Sequence, residues 1–464
     1  LKHHHLVKQA VKHRQQKQIE KGKGNLHWWQ LSLIGIGSII GAGFFLGTGL
    51  SIKTAGPSIL FGYLIAGLTT FFVFSALAEM TINDPSPGSF RAYATKAFGH
   101  AAGFTSGWMY WLSGVLIMSS EIVALSTFTQ FWFSHIPLWI FSIIYAALGF
   151  GINLLGVQNF GKIESMFATV KIATLVSFIG FGALFLLGAI SPGEMDTAVQ
   201  TGIGGFFPHG LGGLWAAMIF IFFSFGGIAV VGVTASELDH KRDISKSGIG
   251  LIITLVTLYV LSLFFVLWMV DWSEINESES PFVTALSAFR IPYLDSIFNI
   301  IIISAAFSTM VGALFSISRV MVSLAKDGDA PSKVKQKNSR GVAVYALLIT
   351  AIGLAVSILF SYLLPGSMYE YVTTSAGVIL ILNWGMILAS HLKLHPTYQE
   401  NQGTFKAFGY PYTSYLGLVL ILIVLAGALF HAGERIGLFI SVGLIVVIFV
   451  CYKVFRKSPQ DHGA

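Results

Sequence analysis

Residues 32 to 49, Ser-Leu-Ile-Gly-Ile-Gly-Ser-Ile-Ile-Gly-Ala-Gly-Phe-Phe-Leu-Gly-Thr-Gly, set six glycines into an otherwise apolar stretch. Each glycine weakens a helix by about 1 kcal/mol relative to alanine. The loss concentrates at Gly41-Ala42-Gly43, where the chain can open and leave N–H groups unpaired. Exposed N–H groups at a helix start suit a carboxylate, and freed carbonyls suit an ammonium or a metal cation. An amino acid carries both charges. A second break stands at Ser224-Phe225-Gly226-Gly227, with Phe223 immediately before it, placed either to close over a ligand as a gate or simply to pack.

Lys171 is the third feature. Counted from Gly161, it lies ten residues into an apolar run, roughly 15 Å along a helix at about 1.5 Å per residue. A charged lysine at that depth costs several kcal/mol, so it must pair, give up its proton or face water. Lys171 is therefore a candidate proton-coupling group, and the alternative is a structural lysine with a permanent charge. Ser304, Ser308 and Thr309 reach similar depth on another run and are its candidate oxygen partners. Glu121 sits in the outer half of its run, as an acidic partner for substrate or proton or as a protonated or hydrogen-bonded helix contact. Glu79, Glu237 and Asp271 fall at the ends of runs, where solvent or headgroups account for them.

The elements that hold these residues follow from composition. A chain of 464 residues that is 54% hydrophobic and 11% charged, with mean hydropathy +0.74, is far more apolar than a soluble domain requires. Apolar runs of about 20 residues recur near 27 to 50, 57 to 80, 102 to 130, 138 to 155, 161 to 189, 211 to 234, 249 to 271, 294 to 323, 341 to 362, 369 to 391, 411 to 431 and 434 to 455. The expected fold class is an all-α polytopic membrane protein with twelve transmembrane helices. Residues 1–26 read as a basic tail without the apolar core of a signal peptide, and 456–464 as a second tail. His3, His4 and His5 read either as a metal cluster or, more simply, as part of a flexible basic tail, and stay out of the site argument. Most of the 28 Lys and Arg fall on the side of the N-terminus, with Lys53, Arg290 and Arg435 opposite. That bias places both termini in the cytoplasm.

Short connections leave one membrane domain and no soluble module. The links 235 to 248 and 324 to 340 carry neither a phosphate-binding glycine loop nor a metal-ligand spacing, so no cofactor and no metal are expected. Cys451 is the one cysteine and packs in the last run. The glycine-rich stretch 191 to 210 reads as an outside segment with a short surface helix. The two breaks lie five spans apart, and an odd separation makes their helices antiparallel. Inverted-topology repeats have this form, with two broken helices crossing at the midplane. Residues 27–189 form the first repeat, 211–391 the second, and 411–455 an added pair. Small residues also permit close helix packing, which is the plainer explanation of either break alone.

With these residues in place, the chain resembles amino acid permeases of the amino acid/polyamine/organocation superfamily, above all the bacterial amino acid transporter branch. The resemblance is carried by Ile40-Gly41-Ala42-Gly43-Phe44-Phe45, by Pro87-Gly88-Ser89-Phe90-Arg91-Ala92-Tyr93-Ala94 and by Glu121. It extends through Ser280-Pro281-Phe282-Val283, Ser318-Arg319 and Lys326-Asp327-Gly328-Asp329-Ala330-Pro331. It implies a five-plus-five inverted repeat working by alternating access. It also implies that backbone N–H groups at Gly41, Ala42 and Gly43 meet the substrate carboxylate. Carbonyls of Ile39, Phe223 and Gly226 meet the amino group, Phe223 closes over the ligand, and Lys171 occupies a sodium-like position. One departure is Ala229, where many relatives have an acid two residues after the glycine pair. Its absence argues against a cationic substrate.

The expectation is a secondary transporter for neutral amino acids in a bacterial cytoplasmic membrane, importing with protons and needing no protein partner and no nucleic acid. An exchanger without net proton movement would use the same site. A sensor would bind without flux. An enzyme would need convergent carboxylates, histidines or a nucleophile at one depth, and none is expected in the spans.

Overall fold

The computed structural model describes residues 26–86, 88–155, 160–190, 205–229, 231, 238–240, 243–276, 279–363, 368–400 and 405–456. Helices run through the apolar windows: α1 (Trp28–Ile39), α2 (Ala42–Phe45) and α3 (Gly47–Ala55) in the first, then α4 (Ile59–Asn83), α5 (Phe90–Phe98), α6 (His100–Gln130), α7 (Leu138–Leu154) and α8 (Phe160–Leu186). The second half holds α9 (Gly210–Phe223), α10 (Ile244–Met269), α11 (Pro281–Ser287), α12 (Leu294–Lys326), α13 (Val344–Leu363), α14 (Met368–Glu400), α15 (Tyr412–Gly427) and α16 (Ala432–Arg456). Among the described residues, seven helical segments are long and apolar enough to cross a membrane, and four shorter apolar helices accompany them. The chain is a multi-pass membrane protein.

Burial sorts the helices. α14 is enclosed by neighbours while α16 presents most of its surface outward, and residues such as Phe439, Leu422 and Ile352 form an exposed apolar rim that suits lipid rather than water. Inside, α6 packs along α12 and α14, and α4 packs along α10. Small residues permit the closest approaches. A Cβ on Gly248 of α10 would fall 1.8 Å from the Phe74 ring of α4, so the two backbones are as near as side chains allow.

Two features depart from the sequence reading. The link after α4 is a helix, α5, whose Arg91 is 2% exposed. Arg91 pairs with Asp327 and, at 3.1 Å, with Asp329, and His100 Nε2 lies 2.9 Å from Asp329. Burial holds the Asp329 carboxyl above the ordinary aspartate range, against the lowering pull of His100 and Arg91. Residues 191–204, which hold most of the stretch expected to carry a short surface helix, lie outside the described residues, as do His3, His4 and His5. Second, Glu79 is fully buried, so solvent does not account for it.

Candidate functional site

The first break is set by backbone. α1 ends at Ile39, Ile40 and Gly41 are extended, and the single turn Ala42–Phe45 restarts the helix. Gly41 sits where a Cβ would fall 2.5 Å from Glu121 Oε1 and 2.7 Å from Thr309 Oγ1, so only glycine lets α6 and α12 close on the opened chain. The second break follows Phe223. The Gly226 N–H donates to the Phe223 carbonyl at 2.8 Å, and Gly227 takes φ +102°, a conformation open to glycine and strained for other residues.

The two breaks meet. The position of a Cβ on Gly227 is 2.9 Å from the Ser38 carbonyl, and that of a Cβ on Gly43 is 2.7 Å from the Phe223 ring. Ser224 fastens them: its Oγ donates to the Gly43 carbonyl at 3.0 Å, Tyr63 OH lies 3.0 Å from that Oγ, and Tyr259 OH donates to the Ser224 carbonyl at 3.1 Å. Tyr259 in turn stacks on Phe44, with centroids 3.8 Å apart.

Beside the crossing lies a cavity bounded by Ser38, Ile39, Gly43, Phe223, Gly226 and Gly227 from the two breaks. Tyr110, Ser113, Gly114, Ile117 and Glu121 of α6, Thr309, Ala313, Ser316 and Ile317 of α12, and Leu380 of α14 complete it. Its walls are mainly apolar, with a polar end where Tyr110 OH and Ser316 Oγ share a hydrogen bond of 2.8 Å. Of the expected binding residues, Ile39, Gly43, Phe223 and Gly226 line this cavity. Gly41 and Ala42 face α6: the Ala42 N–H donates to both Glu121 oxygens, at 2.9 and 3.1 Å.

Lys171 is fully buried. Its ammonium donates to the Gly37 carbonyl at the end of α1 and to Thr309 Oγ1 at 2.9 Å. Thr309 Oγ1 also lies 2.8 Å from the Ile40 carbonyl, as its donor. Of the three proposed oxygen partners, Thr309 is the one that reaches Lys171. Ser308 turns to Glu164, at 3.2 Å from Oε2, and among the described residues Ser304 makes no hydrogen bond to Lys171. Helical geometry explains this, since at 100° per residue Ser308 and Ser304 point about 100° and 140° away from Thr309 around α12.

Glu164 was not singled out from the sequence, yet it is 1% exposed and within electrostatic reach of Lys171. The spacing Glu164 to Lys171, two helical turns on one face, was its signal. Ser224 carried none, because its role depends on where the breaks cross. The expectation that no carboxylates and histidines converge in the spans is also corrected: Glu79, His391 and His395 come together in the interior, and the i, i+4 spacing of the two histidines on α14 could have shown it.

The family model for "Amino acid permease" matches residues 30–462. The chain belongs to the amino acid permease family. The permease is 41% identical over 443 residues to the uncharacterized transporter YcgH of Bacillus subtilis, covering 96% of this chain and 97% of that one. It is 33% identical over 447 residues to the aromatic amino acid transport protein AroP of Escherichia coli K12, covering 96% and 97%. AroP of Salmonella typhimurium strain LT2 is 34% identical over 452 residues, with 96% and 98% covered. These relatives are transporters and match from end to end. The family is one of carriers, not of enzymes.

Proposed function

We propose that the permease imports neutral amino acids together with protons by alternating access, across a bacterial plasma membrane with both termini inside. In this reading twelve spans form a five-plus-five inverted repeat, 27–189 and 211–391, with 411–455 added. The substrate carboxylate takes the N–H groups at Gly41, Ala42 and Gly43, displacing Glu121 from Ala42. The ammonium meets the carbonyls of Ile39, Phe223 and Gly226; the Phe223 carbonyl, which already accepts from Gly226, keeps a second lone pair for it. The Phe223 ring, lying over Gly43, is the gate.

The observation that carries coupling is the placement of Lys171. Its ammonium sits between the last carbonyls of α1 and Thr309 of α12, a location where a bound cation would join a moving broken helix to its support. Delivering or removing that charge changes how firmly the two hold together, which is what coupling requires. Ile117, Ile317, Leu380 and Ala313 favour an apolar side chain, and Ala229 offers no carboxylate for a basic one. The aromatic substrates named for AroP point to the same neutral class.

An exchanger is the second reading, since the same site without proton release would support counterflow alone. Purified permease in liposomes, screened against the twenty amino acids with and without an imposed pH gradient, separates the two. Accumulation driven by the gradient supports coupling. Counterflow that is blind to the gradient supports exchange, and ligand binding without flux defeats both.

A further inference from the structure

Away from the cavity, Glu79 of α4 faces two histidines of α14. His391 Nε2 is hydrogen-bonded to Glu79 Oε2 at 2.9 Å, and His395 Nδ1 lies 2.7 Å from Oε1. Glu79 and His391 are fully buried, and His395 is 8% exposed. The three ligand atoms, one from each residue, lie within 4.8 Å of one another. The geometry points to a binding site for a divalent transition metal of the Zn2+ type, held by Glu79, His391 and His395 and tying α4 to α14.

The donor set is the first support. Two imidazoles and one carboxylate are a complete three-ligand set for zinc, which leaves a fourth position exchangeable. Tetrahedral bonds of about 2.0–2.2 Å set ligand atoms about 3.3–3.6 Å apart, so the two contacts of 2.9 and 2.7 Å would open by about half an ångström and any wider separation, up to 4.8 Å, would draw in to admit the ion. Hydrogen bonding is the second support. Glu79 Oε1 and His395 Nδ1 are close, yet among the described residues neither has a hydrogen bond of acceptable geometry. A proton would need to lie near the line between them, whereas a metal sits off that line and needs no such alignment.

Outer contacts are the third. His391 Nδ1 lies 3.0 Å from Ser414 Oγ, and the Ala407 N–H donates to Glu79 Oε2 at 2.5 Å. Tyr410 stacks on His395, with centroids 3.5 Å apart and planes 14° apart. Metal-bound imidazoles and carboxylates are held by such partners, which fix the ring and its tautomer. Because Ala407 and Tyr410 lead into α15 and Ser414 lies in its first turn, an ion here would also anchor the start of α15 to α4 and α14.

The test uses the full-length permease in detergent, with His3, His4 and His5 changed to alanine so that the N-terminal run cannot compete. After chelator treatment it is titrated calorimetrically with Zn2+. The inference expects one Zn2+ per chain and a melting temperature that rises with Zn2+. His391→Ala and His395→Ala should each weaken binding by more than about 100-fold, beyond the ~10–100-fold that losing an outer partner costs. Co2+ added to the protein that keeps Glu79, His391 and His395 gives a readout independent of whether those variants fold: an intense visible spectrum of four-coordinate cobalt is expected. A cobalt spectrum unchanged from buffer, absence of Zn2+ binding, or Zn2+ affinity in both histidine variants equal to that of the protein that keeps His391 and His395 overturns the inference and leaves a hydrogen-bonded pin.

Discussion

Changing Lys171 to glutamine removes a charge while keeping two N–H donors, so the variant can still reach the Gly37 carbonyl and Thr309. The acidic groups that remain are Glu164 and Glu121, 1% and 2% exposed. Stripping one partner from a buried ionic network costs about 3–5 kcal/mol, and the retained donors place K171Q near the lower end. The melting temperature should fall accordingly, and K171Q/E164Q should recover part of the loss by removing one stranded carboxylate. Transport separates stability from coupling. If one proton accompanies each substrate, a gradient of one pH unit, worth about 1.4 kcal/mol, supports about tenfold accumulation. Folded K171Q in liposomes is expected to retain counterflow and to show an accumulation ratio near one. A tenfold ratio in K171Q equal to that of the parent would refute coupling through this residue.

Three further outcomes follow from particular contacts. Gly227→Ala places a Cβ at φ +102° and 2.9 Å from the Ser38 carbonyl; a strain of about 1–3 kcal/mol should lower both uptake and melting temperature, measured in liposomes and by thermal shift. Gly248→Ala drives a Cβ into the Phe74 ring far from the cavity. It should cost about 1–3 kcal/mol by overpacking, leaving substrate affinity of the folded fraction unchanged in a binding assay. The folded state raises the Asp329 proton affinity through burial, so the associated stability is complete below the ordinary aspartate value of about 3.9 and is lost as pH rises through the raised value. Asp329→Asn should flatten that decline in melting temperature with pH.

The membrane class was legible in the sequence because twenty-residue apolar runs have few other uses, and the breaks were legible because glycines at mid-span are costly without a purpose. Thr309 could be brought to the depth of Lys171 by counting residues, but choosing it over Ser308 and Ser304 required the angular position of α12, which periodicity leaves open. α5 escaped notice because nine residues mixing Arg91 and Lys96 with Phe and Tyr look like a loop to any hydropathy window. Glu79 was misread for a related reason: position near a span end suggests water, whereas the residues from 405 to 408 fold over it. Ser224 and the Glu121 contact with Ala42 belong to the same class, since each depends on a crossing between segments far apart in the chain.

The carboxylate of Glu121 resting on the Ala42 amide has a thermodynamic consequence for the proposed cycle. An arriving amino acid would exchange one carboxyl group for another at that amide, so the group common to all amino acids gains little net hydrogen bonding there. Discrimination then falls on what surrounds the variable part of the ligand, and swapping Ile117, Ile317 or Leu380 should retune preference more sharply than overall affinity. In that cycle an empty carrier with its own internal counterfeit of the cargo would also reorient without exposing bare amides to a dry interior.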